Sequence, residues 1–411
     1  MKKFIVRTVM TFSLIFISLF AITMFLEYKN KDKLNTQVKV EYKVSDGEIV
    51  VPDTPAKVEA NYEFSQVFFY SGLAISLASP LLFFKYGGTA VIKKIGFKKK
   101  ILEAGCFCLL YGVFTEFLIF PKALFSAFYR ARLVGLSTAS FSDFMGRYFQ
   151  RSMFYALEML PIAMIVYIIF IKRKRWYIYV SIILVLIAIG GAYISPYIDE
   201  MQNDLESMED GELKNSILEL AKNSGVEDLD IRVVEKSNIT NSVNAYMTGI
   251  GGSRRIVFWD TTLKLSNKEI LAIAAHEMGH YEMNHIQKSI TLSVFMTIFL
   301  ILVSHNIMCK YKGREYRLID NIPKMLFILN ILLVVAAPIE TAYSRKMEYA
   351  ADQFAMEATN DGYTNGSLEI RFIQQNLSPI DVNSLYKWLV YDHPTVKDRI
   401  EHSNEFIENM K

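Results

Sequence analysis

Between Trp176 and Ile198 the chain reads WYIYVSIILVLIAIGGAYISPYI, without one charged side chain. About 20 mostly apolar residues suffice for a helix to cross the hydrocarbon core of a bilayer. This stretch therefore predicts a transmembrane helix, and it sets the scale for the rest of the 411 residues. Six other runs match it: Thr8–Leu26, Phe64–Phe84, Ile101–Phe120, Ser152–Ile171, Ser289–Cys309 and Met325–Ser344. In lipid every backbone polar group must be satisfied internally, and runs of this length do so as helices. The first run follows Met1-Lys2-Lys3. Its length and the lack of a small-x-small cleavage site predict a retained span rather than a signal peptide.

Composition agrees: 52% of residues are hydrophobic and only 21% charged. Disorder is excluded, because so apolar a chain buries enough surface to offset its ordering entropy. A net charge of +3 is too small to argue for nucleic acid. Cys106, Cys108 and Cys309 all fall in apolar runs, which argues against a disulfide framework or a thiolate metal cluster. Basic residues crowd positions 85–100, 172–175 and 310–324. By the bias of basic loops toward the cytoplasm, that places the N-terminus inside and residues 199–288 and 345–411 outside, with loop 121–151 dissenting. Glu116, Glu158 and Glu340 lie in apolar runs. For the first two the expectation is a polar interior, and for Glu340 an interfacial position serves equally well.

The polar segments divide the chain into 1–198 (five spans), 199–288, 289–344 (two spans) and 345–411. In the second segment, Leu213, Ile217, Leu218 and Leu220-Ala221 form a helical stripe closed by Asn223-Ser224-Gly225, and Ile231–Val234 reads as a short strand. Asn244–Thr248 and Arg255–Trp259 flank Gly249-Ile250-Gly251-Gly252, the pattern of a hairpin. Ser266 with Glu269 three residues on is a capping box, so a helix starts there. With no breaker but Gly279, one helix is expected from there through the sixth span to Cys309. In the last segment a charged helix is expected near 346–358 and another near 395–409.

The helix opened at Ser266 carries His276-Glu277-Met278-Gly279-His280. Residues four apart lie about 40° apart around a helix and one turn along it, so both imidazoles can bind one Zn²⁺. Glu277 between them is placed to take a proton from water. Five residues beyond His280, His285 would sit about 140° around the same helix and point away. Glu348 is the better third ligand, with Asp352 one turn on to fix the tautomer of a ligand histidine from behind. His393, held by Pro394, can donate to an oxyanion, with Arg399 six residues on. His305 and His402 read as ordinary histidines.

These residues resemble the type I CAAX prenyl proteases, the Ste-type membrane zinc metallopeptidases. The resemblance rests on His276–His280 followed by Asn284-His285, on Glu348-Tyr349-Ala350-Ala351-Asp352, on Asn244-Ala245-Tyr246 with Arg255–Thr261, and on His393-Pro394 with Arg399. It covers most of the chain. It implies an all-α integral membrane protein whose seven helices enclose a polar, water-filled chamber, lined by Glu116 and Glu158, with a small α+β zinc-metallopeptidase domain at one end. It implies one Zn²⁺ per chain on His276, His280 and Glu348, with Glu277 as general base and Asn244, His393 and Arg399 on the substrate or the oxyanion. The strand Asn244-Ala245-Tyr246 would then pair with a peptide as an added β-strand. The family places its zinc end in the cytosol, opposite to the charge count.

The expected activity is zinc-dependent hydrolysis of peptide bonds in membrane-associated or lipid-modified peptides, by a monomer in the bilayer of a cell membrane. Among the alternatives, an HtpX-like quality-control protease would have fewer spans and an antibiotic sensor an added sensing domain. A transporter leaves the histidine–glutamate constellation unexplained and predicts paired inverted repeats, which are not seen.

Overall fold

The computed structural model describes residues 1–226, 229–249 and 253–411. Helices follow in the order α1 (Lys2–Lys29), α2 (Lys31–Leu34), α3 (Ala56–Tyr86), α4 (Gly88–Ile95), α5 (Lys100–Ala123), α6 (Ala131–Leu133), α7 (Phe141–Lys172), α8 (Trp176–Gln202), α9 (Glu212–Asn223), α10 (Asn267–Glu282), α11 (His285–Lys312), α12 (Ile322–Thr359), α13 (Gly362–Asn376), α14 (Ser384–Leu389) and α15 (Val396–Asn409). The seven spans are carried by α1, α3, α5, α7, α8, α11 and α12, each long and apolar enough to cross a bilayer. In their most apolar stretches only 6–28% of residues are buried by protein. The protein is a multi-pass integral membrane protein.

Strands occur only in the polar segments among the described residues. β1 (Val44–Ser45) and β2 (Glu48–Ile49) form a small antiparallel hairpin. β3 (Leu205–Ser207), β4 (Asp230–Val234), β5 (Ala245–Thr248) and β6 (Arg255–Trp259) form a mixed sheet in the order β3-β4-β6-β5. The expected hairpin is present, with Ala245 opposite Phe258 and Thr248 opposite Arg255. Most of its turn, Ile250-Gly251-Gly252, lies outside the described residues. The sheet packs on α9 and α10 through Ile217, Ala221, Ile256, Phe258, Ile270 and Met278.

The capping box at Ser266 is formed. Glu269 accepts from the Ser266 amide at 2.9 Å, while the Ser266 hydroxyl accepts from the Glu269 amide. The helix it opens does not reach Cys309. α10 stops at Glu282, Asn284 turns into the left-handed region with φ 56°, and α11 begins at His285. Asparagine is one of the few residues that enter this region at low cost, so the chain bends without Gly or Pro.

The charged helix expected near 346–358 is present as the continuation of the seventh span. Through Pro338 and the charged Arg345-Lys346, α12 runs unbroken for 38 residues. Neighbouring helices and local adjustment let a proline sit inside such a helix. Gly279 allows α12 to approach α10 closely, since a Cβ there would stand 3.1 Å from the Phe354 side chain. The β1–β2 hairpin packs against α15. Ile49 is buried, its amide donates to Asn404 Oδ1 at 2.7 Å, and its carbonyl accepts from Asn404 Nδ2 at 2.9 Å.

Candidate metal centre

His276 and His280 project from one face of α10, and their Nε2 atoms lie 3.0 Å apart. Glu348 comes from α12, with Oε2 at 3.3 Å from His276 Nε2 and Oε1 at 3.4 Å from His280 Nε2. Of the described residues, these three form the one group whose ligand atoms converge closely enough to hold a metal ion. Behind His276, Asp352 Oδ1 lies 2.9 Å from Nδ1. A carboxylate there accepts the Nδ1 proton, which leaves Nε2 as a bare lone pair. Glu348 Oε2 is buried and has no hydrogen-bond donor. Lone pairs from two rings and a carboxylate thus face one point, and a divalent cation is the species that satisfies all of them.

Asp352 is fully buried and accepts from Arg399 through both carboxylate oxygens. Arg399 reaches further to Glu369 Oε1 at 2.9 Å. The sequence reading missed Glu369, whose neighbours in the chain carry no motif. It is wholly buried, and burial pushes its carboxyl up to about 7, with Arg399 opposing and Asp352 adding to the rise.

His285 does not point away. The turn at Asn284 swings it back, so it is buried with Nδ1 at 3.0 Å from His280 Nδ1. An offset of about 140° applies only along a continuous helix, and the chain breaks between α10 and α11.

Glu277 Oε2 accepts from the Met247 amide of β5 at 2.9 Å, and burial raises its carboxyl above the usual range. A cleft of about 390 Å³ opens over this arrangement, lined by Asn244, Ala245, His276, Glu277, His393 and Arg399 among others. β5 is an edge strand beside it. Tyr246 does not line the cleft; its hydroxyl donates to Asp199 Oδ2 at 2.7 Å and ties β5 to the end of α8. His393 Nε2 lies 3.4 Å from Glu348 Oε2, and its Nδ1 faces Asp392 at 2.8 Å. Burial alone would lower the His393 ring, but the Asp392 hydrogen bond and the Glu348 charge outweigh it and raise it. The intramembrane acids stand apart from this centre. Glu116 is exposed and accepts from the Tyr148 hydroxyl at 2.9 Å, and Glu158 is half-buried.

The fold and this centre define a membrane-embedded protein with a candidate metal site built by His276, His280 and Glu348. Comparison with known proteins agrees. Residues 207–407 match the model of peptidase family M48. The uncharacterized metalloprotease YhfN of Bacillus subtilis is 32% identical over 274 residues, 62% of each chain. A CAAX prenyl protease 1 homolog of Dictyostelium discoideum is 30% identical over 54% of this chain and 53% of its own. CAAX prenyl protease 1 of Saccharomyces cerevisiae is 31% identical over 57% of each. The chain thus spans between 53% and 62% of the length of these relatives. The crystal structure of S. mikatae Ste24p superposes with a TM-score of 0.70 at 24% identity, over 96% of this chain and 98% of that one. Residues 207–407 are thus similar to peptidase family M48, and the whole chain shares the fold of Ste24p.

Proposed function

We propose that this protein is a zinc metalloendopeptidase that cuts peptide bonds in membrane-associated or lipid-modified peptides, working as a monomer. The observation that carries this reading is the pair of ring nitrogens 3.0 Å apart with an unsatisfied buried carboxylate oxygen beside them. His276, His280 and Glu348 would hold one Zn²⁺. The metal supplies Lewis-acid polarisation of a carbonyl and a lowered pKa for water.

The chain's own residues do the rest. Glu277 takes the proton of the attacking water and delivers it to the leaving nitrogen. Its Oε2 is engaged by the Met247 amide, which leaves Oε1 to carry that proton. A peptide laid along β5 adds a strand beside Asn244 and Ala245, which orients the scissile carbonyl by main-chain hydrogen bonds. His393 offers a proton from Nε2 to the developing oxyanion. Both sides of Arg399 are taken by carboxylates, so it acts through Asp352 on His276. Two CAAX prenyl protease relatives support a lipid-modified substrate. Glu116 and Glu158 would line the chamber through which it enters.

The test is Glu277→Gln in purified protein. Peptide cleavage should fall about 10²–10⁴-fold while one zinc per chain is retained. Undiminished cleavage in that variant would sink the mechanism.

A further inference from the structure

We propose that His285 is a positioning residue for the metal centre: it fixes the tautomer and ring plane of His280, and it ties that ligand to the sixth span. This rests on the assignment of His280 as a ligand but not on proteolysis.

The geometry leaves little freedom. The two Nδ1 atoms are 3.0 Å apart, so one carries a proton and the other accepts it. His280 presents Nε2 to His276 and Glu348, and a ring that ligates through Nε2 carries its proton on Nδ1. His280 is therefore the donor, and His285 Nδ1 the acceptor. The rings meet edge to face, with centroids 5.0 Å apart and planes 74° apart. His285 is only 5% exposed, so water does not compete freely for that nitrogen.

How His285 arrives there matters equally. It is the first residue of α11, and the residue before it is in the left-handed region. The hydrogen bond from the Lys288 amide to the Asn284 carbonyl, 3.0 Å, opens the new helix immediately. The partner of His280 is thus delivered by a membrane helix through a two-residue joint, Met283-Asn284. His276 is instead steadied by α12 and α15 through Asp352 and Arg399.

The experiment measures Zn²⁺ affinity in detergent-solubilised full-length protein by competition with a chromophoric chelator, beside the melting temperature of metal-stripped protein. His285→Leu removes the acceptor and keeps the bulk. It should weaken Zn²⁺ binding about 10–100-fold, the usual cost of losing a ligand's outer partner. His285→Gln, whose amide oxygen can accept from Nδ1–H, should recover most of that loss. At the joint, Asn284→Gly keeps the left-handed turn and should bind as wild type, whereas Asn284→Val strains it and should weaken binding without altering either ring. Equal affinity in wild type and His285→Leu overturns the proposal. So does a Leu defect that His285→Gln does not repair. A metal-stripped melting temperature that falls in step with affinity across the series also overturns it, since it marks a purely structural role. Because affinity is read without substrate, loss of the proteolytic assignment would leave these outcomes intact.

Discussion

His276 and His280 leave the same helix one turn apart, yet they are held by opposite means. His276 rests on an ionic chain, Asp352–Arg399–Glu369, whose two carboxylates are buried and whose guanidinium is only slightly exposed. His280 rests on a neutral ring at the mouth of a membrane helix. A carboxylate behind an imidazole increases its basicity as a ligand, whereas a neutral acceptor orients without that added pull. The difference teaches that equal spacing in sequence does not mean equal roles: one imidazole is made more basic and the other is steered.

The largest break in this comparison should come from Asp352→Asn. It removes the negative charge behind His276, leaving only an amide oxygen to accept, and takes away one of the two carboxylates that hold Arg399. Losing one partner of a buried ion pair costs about 3–5 kcal/mol, and metal affinity should also fall about 10–100-fold. Chemical denaturation and chelator competition read the two effects separately. A smaller signal comes from pairs of substitutions. Asp352→Asn with Arg399→Gln should depart from additivity by about 0.5–3 kcal/mol, because they share one network. Asp352→Asn with His285→Leu should add within about 0.5 kcal/mol, because they act on different rings. Strong coupling in the second pair would erase the distinction between the two flanks.

The ionic flank alone should carry a pH signature. The Glu369 carboxyl titrates near 4.5 in an unfolded chain and about 7 in the fold, raised by burial. Between those values the folded chain binds the extra proton. Its contribution to stability is therefore full below about pH 4.5 and lost as pH rises through 7. Melting temperatures across that range should decline for this reason in wild type and in His285→Leu, and decline less in Glu369→Gln. The smallest effect is Ser266→Ala, at the far end of α10. Loss of that cap costs about 1 kcal/mol and should leave metal affinity unchanged, which separates a weakened helix from a weakened centre.

Much of this was legible in the sequence. Spans announce themselves by length and lack of charge, and Ser266 and Glu269 mark a helix start by local chemistry alone. Histidines four apart meet because helix geometry is nearly invariant. The failures share one cause: they depend on what lies across the chain. Asn284 carries no Gly or Pro signal, and only the packing around His285 reveals the turn. The continuity of α12 was hidden because Arg345-Lys346 reads as the end of a span, when it marks only the end of the lipid. Glu369, between Leu368 and Ile370 on α13, looks like any helix carboxylate until Arg399 folds beside it.

The unbroken α12 has a mechanical consequence. At 1.5 Å per residue, Glu348 stands about 20 Å along the rod from the middle of its apolar stretch. A lean of about ten degrees about that middle would carry the carboxylate sideways by about 4 Å, more than a coordination bond tolerates. Helices lean to match the thickness of the lipid around them. The same beam that anchors the protein would thus be a lever arm on the proposed metal centre, through which a thinner or thicker bilayer would pull on Glu348.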